Sequence, residues 1–270
     1  MSPIHPVAAR GFARSPDAYE RARPGYPPAA ADYLAAQLGL GPGPTVLDLA
    51  AGTGKLTRLL LATGADVIAV EPVAQMRAAL PEAARVLEGT AEAIPLADGA
   101  CDAATVAQAF HWFDGDAALR EIHRVVRPGG QLALVWNRRR MEDPLHRAIE
   151  DLIAPHRGDA PAHGSAEWRR AFSRTSLFGP LEEREFANEQ ELDAEGLADR
   201  VGSTSFIAAL EPPERDEVLD AVRALAGDGA VRVRYVTEVQ VCPRLGTARS
   251  GARSRSAEHR STSDLRAPVP

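Results

Sequence analysis

The segment that most constrains the fold of this chain is residues 46–54, Val-Leu-Asp-Leu-Ala-Ala-Gly-Thr-Gly. An apolar run of strand type contains Asp48, a turn of small residues holds Gly52 and Gly54, and a helical pattern begins at Lys55. This order of strand, glycine turn and helix builds a nucleotide-binding corner, because the backbone can approach a ligand closely only where side chains are missing. The carboxylate ahead of the glycines would repel a phosphate, so it favours a ligand that carries an ammonium or sulfonium group.

Strands and helices alternate at short spacing over the first half of the chain, which implies a parallel sheet with crossover helices on both faces. The predicted strands there are 45–49, 66–70, 84–88, 102–108 and 131–136, and the predicted helices are 29–39, 55–63, 73–80 and 114–127. The second half is less regular, with helices at about 142–156, 163–174, 191–201 and 212–226 and strands at about 183–187 and 231–241. The last strand alternates apolar and polar residues, so we place it antiparallel near the sheet edge. The predicted fold class is α/β, with a doubly wound, seven-stranded, mostly parallel sheet in three αβα layers.

The composition narrows the class of protein. The 270 residues are enough for one α/β domain with a large core. The formal net charge of −6 argues against nucleic acid as a partner, which would need a clustered basic face. The two cysteines are too few for a disulfide framework, and no run approaches the ~18 apolar residues of a membrane span. Because no signal peptide is visible either, we expect a cytoplasmic protein with no membrane partner.

A second acidic residue strengthens the prediction of a nucleoside site. Glu71 ends the second strand, 23 residues after Asp48 (71 − 48). The carboxyl ends of the first two strands of a doubly wound sheet are neighbours, and an acidic residue there binds ribose hydroxyls. The third glycine of the dinucleotide fingerprint is missing, since Leu56 and Thr57 follow Gly54. A nucleoside with a cationic tail and no phosphate suits both acids, and the alternative for Asp48 is a residue that only ends a strand and caps the turn.

These segments resemble the motifs of a known enzyme family. Residues 46–54 resemble motif I of the class I S-adenosylmethionine (SAM)-dependent methyltransferases, and Glu71 matches the ribose-binding acid of that family. Residues 89–96 resemble its loop after the third strand, residues 101–113 its fourth strand and the following loop, and residues 127–132 the turn before its fifth strand. The order and the distances of motif I, the acid and the Pro-Gly-Gly turn make this resemblance specific.

The N-terminal arm and the loop after the fourth strand narrow the resemblance to one branch. A pattern of the small-molecule branch, Tyr-x-x-x-Arg-Pro-x-Tyr-Pro, is carried here by Tyr19, Arg23, Pro24, Tyr26 and Pro27. The run Phe-His-Trp-Phe at 110–113 is most similar to the methyltransferase type 11 group, which includes trans-aconitate-methyltransferase-like proteins. The resemblance covers roughly residues 12–137 and is weaker beyond them.

The resemblance implies SAM as the cofactor and transfer of its methyl group to a small-molecule acceptor by in-line displacement. The positions that it assigns to SAM binding are Tyr19, Arg23, Asp48, Ala50, Gly52, Thr53, Gly54, Glu71, Pro72, Met76, Thr90, Ala91, Glu92, Gln108 and Ala109. Two of them depart from the family pattern. Ala50 stands where a glycine is usual, and Thr90 stands where the family prefers aspartate, so backbone contacts are expected to dominate at Thr90.

Three further residues are candidates for the acceptor side of the site. His111 and Trp112 follow the fourth strand and face the cleft by position, and Asn137 follows the fifth strand. His111 is the candidate catalytic residue, which could orient the acceptor or remove its proton. The alternative is that this aromatic cluster only wedges the loop, and the run 138–140 of three arginines either attracts an acidic acceptor or is a solvated loop. The sequence has no nucleophile triad and no metal-ligand spacing.

The expected organisation is one Rossmann-like methyltransferase domain at 1–245 and a tail at 246–270. Within the domain, the SAM-binding core spans about 27–137 and an acceptor-side insert spans about 138–180. The tail has almost no apolar residue to bury, so it is expected to be disordered. Two other functions stay open, an NAD-type oxidoreductase and a nucleoside-binding protein without catalysis, and so do the identity of the acceptor and the oligomeric state.

Overall fold

A single sheet organises the molecule. The computed structural model describes residues 23–158, 168–227 and 229–246, so Tyr19 and all of the predicted tail beyond residue 246 lie outside the described residues. The strands of the described part are β1 Thr45–Leu49, β2 Asp66–Val70, β3 Arg85–Leu87, β4 Cys101–Ala107, β5 Val126–Arg139, β6 Glu182–Leu192 and β7 Val231–Pro243. They form one seven-stranded sheet in the order β3-β2-β1-β4-β5-β7-β6.

The strand directions confirm the predicted fold class. β7 pairs antiparallel with both β5 and β6, and the other neighbouring strands pair parallel. β7 lies second from the edge, because β6 pairs along its outer side. Its predicted alternation of exposure holds for residues 232–235, whereas residues 237–242 are all buried. Both faces of β7 are covered there, since Val239 and Val241 join one core and Cys242 joins the other.

The helices cover both faces of the sheet. Their bounds are α1 Pro28–Leu38, α2 Lys55–Ala62, α3 Ala74–Arg77, α4 Gly115–Val125, α5 Pro144–Ile153, α6 Arg169–Arg174, α7 Ala194–Gly202, α8 Ser205–Ala208 and α9 Pro212–Ala226. Short 3-10 helices occupy Phe110–Trp112 and Ala154–His156. The described part holds no helix that is both long enough and apolar enough to span a membrane.

Two cores lie on opposite faces of the sheet. One face packs α1 and α2 through Leu34, Leu38, Leu56 and Leu60. The other face packs α4, whose buried residues Ala118, Leu119, Ile122 and Val125 recur at helical spacing and make one apolar stripe. Strands between two such layers are buried on both faces, which explains the continuous apolar runs in β1 and β2. This arrangement is the predicted three-layer structure.

A third core belongs to the second half of the chain. Helices α5, α7 and α9 pack together through Ile149, Ile153, Leu197 and Val222, with Val233 of β7 beneath them. These helices therefore form a separate cluster beside the end of β5, whose last residues extend beyond the sheet core. The cluster forms one wall of the site described below.

Several predicted boundaries differ from the structure. The predicted helix at 114–127 ends at Val125, and β5 starts at Val126 rather than at residue 131 and continues to Arg139. The predicted helix at 73–80 is a single turn, because Pro81 follows closely and prevents its continuation. The 3-10 helix at 110–112 was not expected, and it turns the chain directly after β4. Both cysteines, Cys101 and Cys242, are buried free thiols.

Candidate functional site

A cleft opens at the topological switch point of the sheet. β1 and β4 are neighbours, while the helices α2 and α4 pack on opposite faces. Ligands of open α/β sheets bind at this point, outside the carboxyl ends of the strands. The cleft encloses about 570 Å³ of empty space, including its open mouth. Its lining residues are Arg23, Pro24, Tyr26, Ala50, Ala51, Gly52, Thr53, Lys55, Leu56, Ala107, Gln108, Asn137 and Arg200.

The glycine turn after β1 forms the floor of the cleft. Ala50, Gly52 and Gly54 have positive φ angles of 56°, 58° and 90°, a region that glycine enters at little cost and other residues rarely adopt. A Cβ atom on Gly54 would also lie 2.9 Å from Pro81 Cδ, so packing requires glycine there. A Cβ atom on Gly52 would meet Met76 Sδ at 3.9 Å, an ordinary contact, so only the backbone angle demands glycine at this position.

Asp48 lies beneath the glycine turn, and both of its carboxylate oxygens accept hydrogen bonds from other residues of the protein. Its side chain is 1% exposed. Its Oδ2 accepts a hydrogen bond from Thr57 Oγ1 of α2 at 2.6 Å, and its Oδ1 accepts one from Thr105 Oγ1 of β4 at 3.2 Å. Burial raises the pKa of Asp48 to about 6, although both hydroxyl donors lower it. The carboxylate therefore joins β1, α2 and β4 beneath the cleft, and a direct contact between Asp48 and a ligand stays a prediction.

Glu71 ties the end of β2 to the glycine turn. Its Oε2 accepts a hydrogen bond from the Gly52 N–H at 2.9 Å, and its Oε1 accepts one from the Val73 N–H at 2.9 Å. Burial raises the pKa of Glu71, and the two backbone donors oppose this shift. Each oxygen keeps a second lone pair that hydroxyl groups of a ligand can use. Pro72 and Met76 follow on the same side of the turn, Pro72 partly exposed and Met76 buried.

Gln108 continues the cleft at the carboxyl end of β4. Its backbone has a φ of 57°, which is uncommon for a residue other than glycine. Its N–H donates to the Val135 carbonyl at 2.9 Å, so pairing with β5 holds this conformation. Strained backbone of this kind concentrates at functional sites. Gln108 and Ala50 both line the cleft, and Ala109, the next residue along the chain, is buried.

The loop after β3 carries three further predicted positions, Thr90, Ala91 and Glu92. Thr90 pairs with Ala93 in an isolated β-bridge, and Ala91 is buried. Glu92 accepts a hydrogen bond from the Asp114 N–H at 3.0 Å. The Thr90 hydroxyl is buried, and it has no hydrogen-bond partner among the residues that the structure describes. None of Thr90, Ala91 and Glu92 is among the residues that line the cleft, so their contact with a ligand stays a prediction.

The aromatic residues after β4 pack against one another. His111 and Trp112 lie in the 3-10 helix, with ring centroids 5.0 Å apart, and the His111 ring is 5.5 Å from the Trp136 ring. Trp136 is buried and packs in turn on Trp168 at 5.2 Å. The structure thus contains the aromatic cluster that was the alternative interpretation. A catalytic role of His111 and an acceptor contact of Trp112 stay predictions.

Asn137 fastens the N-terminal arm across the cleft. Its Nδ2 donates to the Gly25 carbonyl at 3.0 Å and to the Pro24 carbonyl at 3.3 Å. Its Oδ1 accepts hydrogen bonds from Thr237 Oγ1 at 2.5 Å and from Asn188 Nδ2 at 3.1 Å. The Asn137 side chain lines the cleft, and both its nitrogen and its oxygen form hydrogen bonds within the protein. Its observed role is therefore to position the N-terminal arm.

Arg23 reaches the second half of the chain. Its Nε donates to Ser203 Oγ at 2.9 Å and its Nη2 donates to the Ser203 carbonyl at 2.6 Å. Ser203 in turn donates to the carbonyl of Arg200, another residue of the cleft lining. The sequence-based reasoning missed Arg200, because no local motif marks it and only the packing of α7 brings it to the cleft.

An acidic cluster lies on the edge strands, away from the cleft. Ligand atoms of Glu183, Glu185 and Glu238 come within 4.8 Å of one another. Arg138 donates to Glu238 at 2.5 Å and to Glu185 at 2.8 Å, and Arg169 donates to Glu183 at 3.1 Å. Each of the three carboxylates is thus ion-paired with an arginine, so ion pairing explains the cluster.

Comparison with known proteins agrees with this geometry. A family model described as a methyltransferase domain matches residues 47–134. An uncharacterized methyltransferase from Mycobacterium bovis is 39% identical over 248 residues, which cover 88% of this chain and 96% of the relative. An uncharacterized methyltransferase-like protein from Schizosaccharomyces pombe is 33% identical over 228 residues, 83% of this chain and 88% of the relative. A demethylmenaquinone methyltransferase from Mycolicibacterium paratuberculosis is 41% identical over 99 residues, only 36% of this chain and 43% of the relative.

Solved structures share the fold. A proposed type II methyltransferase from Anaeromyxobacter dehalogenans aligns with a TM-score of 0.61 at 24% identity, covering 82% of this chain and 97% of the other. The YcgJ protein from Bacillus subtilis aligns with a TM-score of 0.56 at 18% identity, covering 81% of this chain and 99% of the other. At these identities the likeness concerns the fold alone.

Proposed function

Because this chain belongs to the class I SAM-dependent methyltransferases, we propose that it binds SAM in the cleft and transfers the methyl group to a small-molecule acceptor. Methyl transfer is what the family does. The choice of SAM as donor for this chain, and of a small molecule as acceptor, is supported by the residues around the glycine turn. Family membership also sets aside the oxidoreductase alternative.

The residues at the turn fit an adenosyl ligand. Gly52 presents backbone without a side chain, so a ligand can approach it closely. Each Glu71 oxygen keeps a lone pair that can accept from a ribose hydroxyl, and the buried Thr90 hydroxyl, which has no hydrogen-bond partner in the described part of the chain, is our candidate contact for the adenine ring. The two carboxylates, Asp48 and Glu71, favour a positively charged ligand over a diphosphate. Gln108 closes the opposite wall, where the methionine part would lie.

The proposed reaction requires the protein mainly to align the reactants and to exclude water. When bound, SAM supplies a methyl group that its positive sulfur has already activated. The protein aligns the acceptor with that methyl group and excludes water, and alignment of this kind contributes up to roughly 7–11 kcal/mol to lowering a barrier. A carboxylate acceptor needs no base at neutral pH. A phenol or amine acceptor needs a proton acceptor, for which His111 is the candidate, with Trp112 and Asn137 on the acceptor side.

The acceptor does not follow from the relatives. The demethylmenaquinone methyltransferase matches only 36% of this chain, and acceptor contacts in this fold come from the arm and from the helices after β5. The observation that carries the proposal is the Glu71 carboxylate bonded to the Gly52 N–H at the switch point.

Isothermal titration tests the proposal. The protein is titrated with S-adenosylhomocysteine and, separately, with NAD. We expect binding of the first ligand and none of the second. Glu71→Gln should weaken binding at least about tenfold, or 1.4 kcal/mol, whereas the control Glu82→Gln changes an exposed carboxylate after α3 and should leave affinity unchanged. Tight NAD binding, or equal affinities for both variants, would reject the proposal.

Mass spectrometry then separates an enzyme from a binding protein. A metabolite extract is incubated with SAM, with and without the protein. A methyltransferase produces a compound heavier by one methyl group only when the protein is present. Binding of S-adenosylhomocysteine without any such product would favour the non-catalytic alternative.

A further inference from the structure

A second, smaller cavity adjoins the cleft. It encloses about 260 Å³ of empty space, including its mouth. Arg200 lines both this second cavity and the cleft, so the two are neighbours. The residues that line the second cavity are Arg139, His146, Ile149, Ile153, Leu197, Arg200, Val201, Thr204, Val233 and Tyr235. The wall is therefore mostly apolar, with a few polar side chains among the helices of the third core.

Arg138 and Arg139, the first two of the three arginines that follow Asn137, lie in different environments. β5 continues to Arg139, and successive side chains of a strand point to opposite faces. Arg138 pairs with Glu238 and Glu185 at the sheet edge, whereas Arg139 lines the second cavity. Arg138 and Arg139 are thus the last residues of β5, whereas Arg140 is exposed beyond the end of the strand and fits the interpretation of a solvated loop.

Positive charge in this region exceeds negative charge. Arg139 Nη1 lies 3.4 Å from Glu150 Oε2, and the same carboxylate pairs with Arg157. Arg200 donates to the hydroxyl of Tyr235 at 3.1 Å. Arg139 and Arg157 thus share the Glu150 carboxylate, while the recorded partner of Arg200 is a neutral hydroxyl. Burial, and next the charge of Arg200, lower the pKa of Arg139 to about 10.

His146 adds a hydrogen-bond acceptor. Its ring is fully buried, and its Nε2 lies 2.6 Å from the Arg234 carbonyl, so Nε2 carries the proton. Burial lowers the pKa of His146, which keeps the ring neutral. Its Nδ1 is then an acceptor, and this atom is buried without a hydrogen-bond partner in the described part of the chain. Asp143, a neighbouring carboxylate, pairs with Arg234 instead.

We propose that the second cavity binds the anionic end of the methyl acceptor, and that this end is a carboxylate with an adjacent hydroxyl group. The carboxylate accepts hydrogen bonds from Arg139 and Arg200, because guanidinium groups match carboxylates in shape and charge. The hydroxyl donates to His146 Nδ1. Apolar atoms of the acceptor pack on Leu197 and Val201. This inference rests on the proposed function, and it concerns binding alone: the anchored end is not the methylated atom, which lies towards the cleft.

A structural explanation competes with this proposal. A single water molecule could accept from Arg139 and donate to His146, since a buried water typically satisfies about three polar groups. Water leaves the excess charge of the guanidinium groups uncompensated, whereas a carboxylate neutralises part of it. The two explanations differ in whether small carboxylates bind, and in whether the binding depends on the arginines.

The test uses three matched probes, mandelate, phenylacetate and mandelamide, titrated into the full chain by calorimetry. Mandelate has the carboxylate and the hydroxyl, phenylacetate lacks the hydroxyl, and mandelamide lacks the charge. We expect mandelate to bind about tenfold more tightly than phenylacetate and mandelamide not to bind. Equal binding of mandelate and mandelamide, or no binding of mandelate at millimolar concentration, would overturn the proposal.

Variants locate the bound probe. Arg139→Met and Arg200→Met should each weaken mandelate binding about tenfold or more. Arg147→Met changes an exposed arginine of α5 and should have no effect. The urea midpoint of each variant checks that it folds. Unchanged mandelate affinity in both cavity variants would contradict the assignment.

The same proteins separate the two proposals. Arg139 does not line the cleft, so Arg139→Met should bind S-adenosylhomocysteine within about twofold of the unchanged chain. If S-adenosylhomocysteine binds and mandelate does not, the second cavity is not an acceptor site and the proposed function stands. If S-adenosylhomocysteine itself fails to bind the unchanged chain, the proposed function fails.

Discussion

Asp48 shows how burial sets the chemistry of a single residue. Its carboxyl group has a pKa of about 6 in the folded protein, against an ordinary value of 3.8, chiefly because it is removed from water. The folded state therefore holds the proton more tightly than the unfolded state between these two values. As the pH rises through this interval, the free energy of unfolding falls, because the stabilisation by protonated Asp48 is lost. Above the folded pKa, Asp48 causes no further change in the free energy of unfolding.

Replacing Asp48 by asparagine removes this pH dependence. As the pH rises from about 4 to about 7.5, Asp48→Asn should gain about 2–3 kcal/mol in unfolding free energy relative to the unchanged chain. Urea unfolding at the two pH values measures the difference. Asp66→Asn, at an exposed residue at the start of β2, is the control and should show no such gain. Parallel pH profiles for Asp48→Asn and the unchanged chain would contradict the buried-charge assignment.

The glycine turn offers a second test at the residue scale. Ala50 has a φ of 56°, so Ala50→Gly relieves a left-handed conformation and should raise the unfolding free energy by up to about 1 kcal/mol. Gly54→Ala adds a Cβ atom 2.9 Å from Pro81 at a φ of 90°, and it should lower stability by about 2 kcal/mol or more. Chemical denaturation measures both. A less stable Ala50→Gly variant would show that the turn does not need this conformation.

At the scale of elements, the site depends on how the arm, β5 and β7 are joined. Asn137 of β5 donates to the carbonyls of Pro24 and Gly25 and accepts from Thr237 of β7. The Thr237 hydroxyl is fully buried, so the loss of its acceptor leaves an unsatisfied donor. One side chain thus links three elements that border the cleft.

Removing this link should destabilise the protein and loosen the arm. Asn137→Ala is expected to lower the unfolding free energy by about 1–3 kcal/mol, since the Thr237 hydroxyl and the Pro24 carbonyl lose these bonds, while the Gly25 carbonyl keeps its bond from Asn188. Asn188→Ala removes one arm contact and leaves the Thr237 bond intact, so its effect should be smaller. Urea unfolding of both variants measures the order of the two effects. A larger loss in Asn188→Ala would place the main anchor of the arm elsewhere.

At the scale of the whole molecule, the first half of the fold could be predicted from the sequence. Continuous apolar runs such as 45–49 and 66–70 correspond closely to β1 and β2, because a strand buried on both faces needs no polar alternation. The turn at Gly52 and Gly54 fixed the place of the cleft, since few other residues adopt these backbone angles.

Other features could not be predicted, because they depend on contacts distant in sequence. The direction of the Asp48 side chain is set by Thr57 and Thr105, which lie on different elements. Arg200 reaches the cleft only through the packing of α7 in the third core. The length of β5 depends on its pairing with β7 out to Tyr235, which the local pattern does not encode.

The central claim is that the cleft at the switch point holds the adenosyl ligand, with Glu71 on its ribose. A crystal structure of the protein with S-adenosylhomocysteine tests this claim most directly. We expect ribose hydroxyls within hydrogen-bond distance of the Glu71 carboxylate, and the amino-acid part of the ligand between the glycine turn and Gln108. A ligand bound away from the turn, or ribose hydroxyls without contact to Glu71, would contradict it.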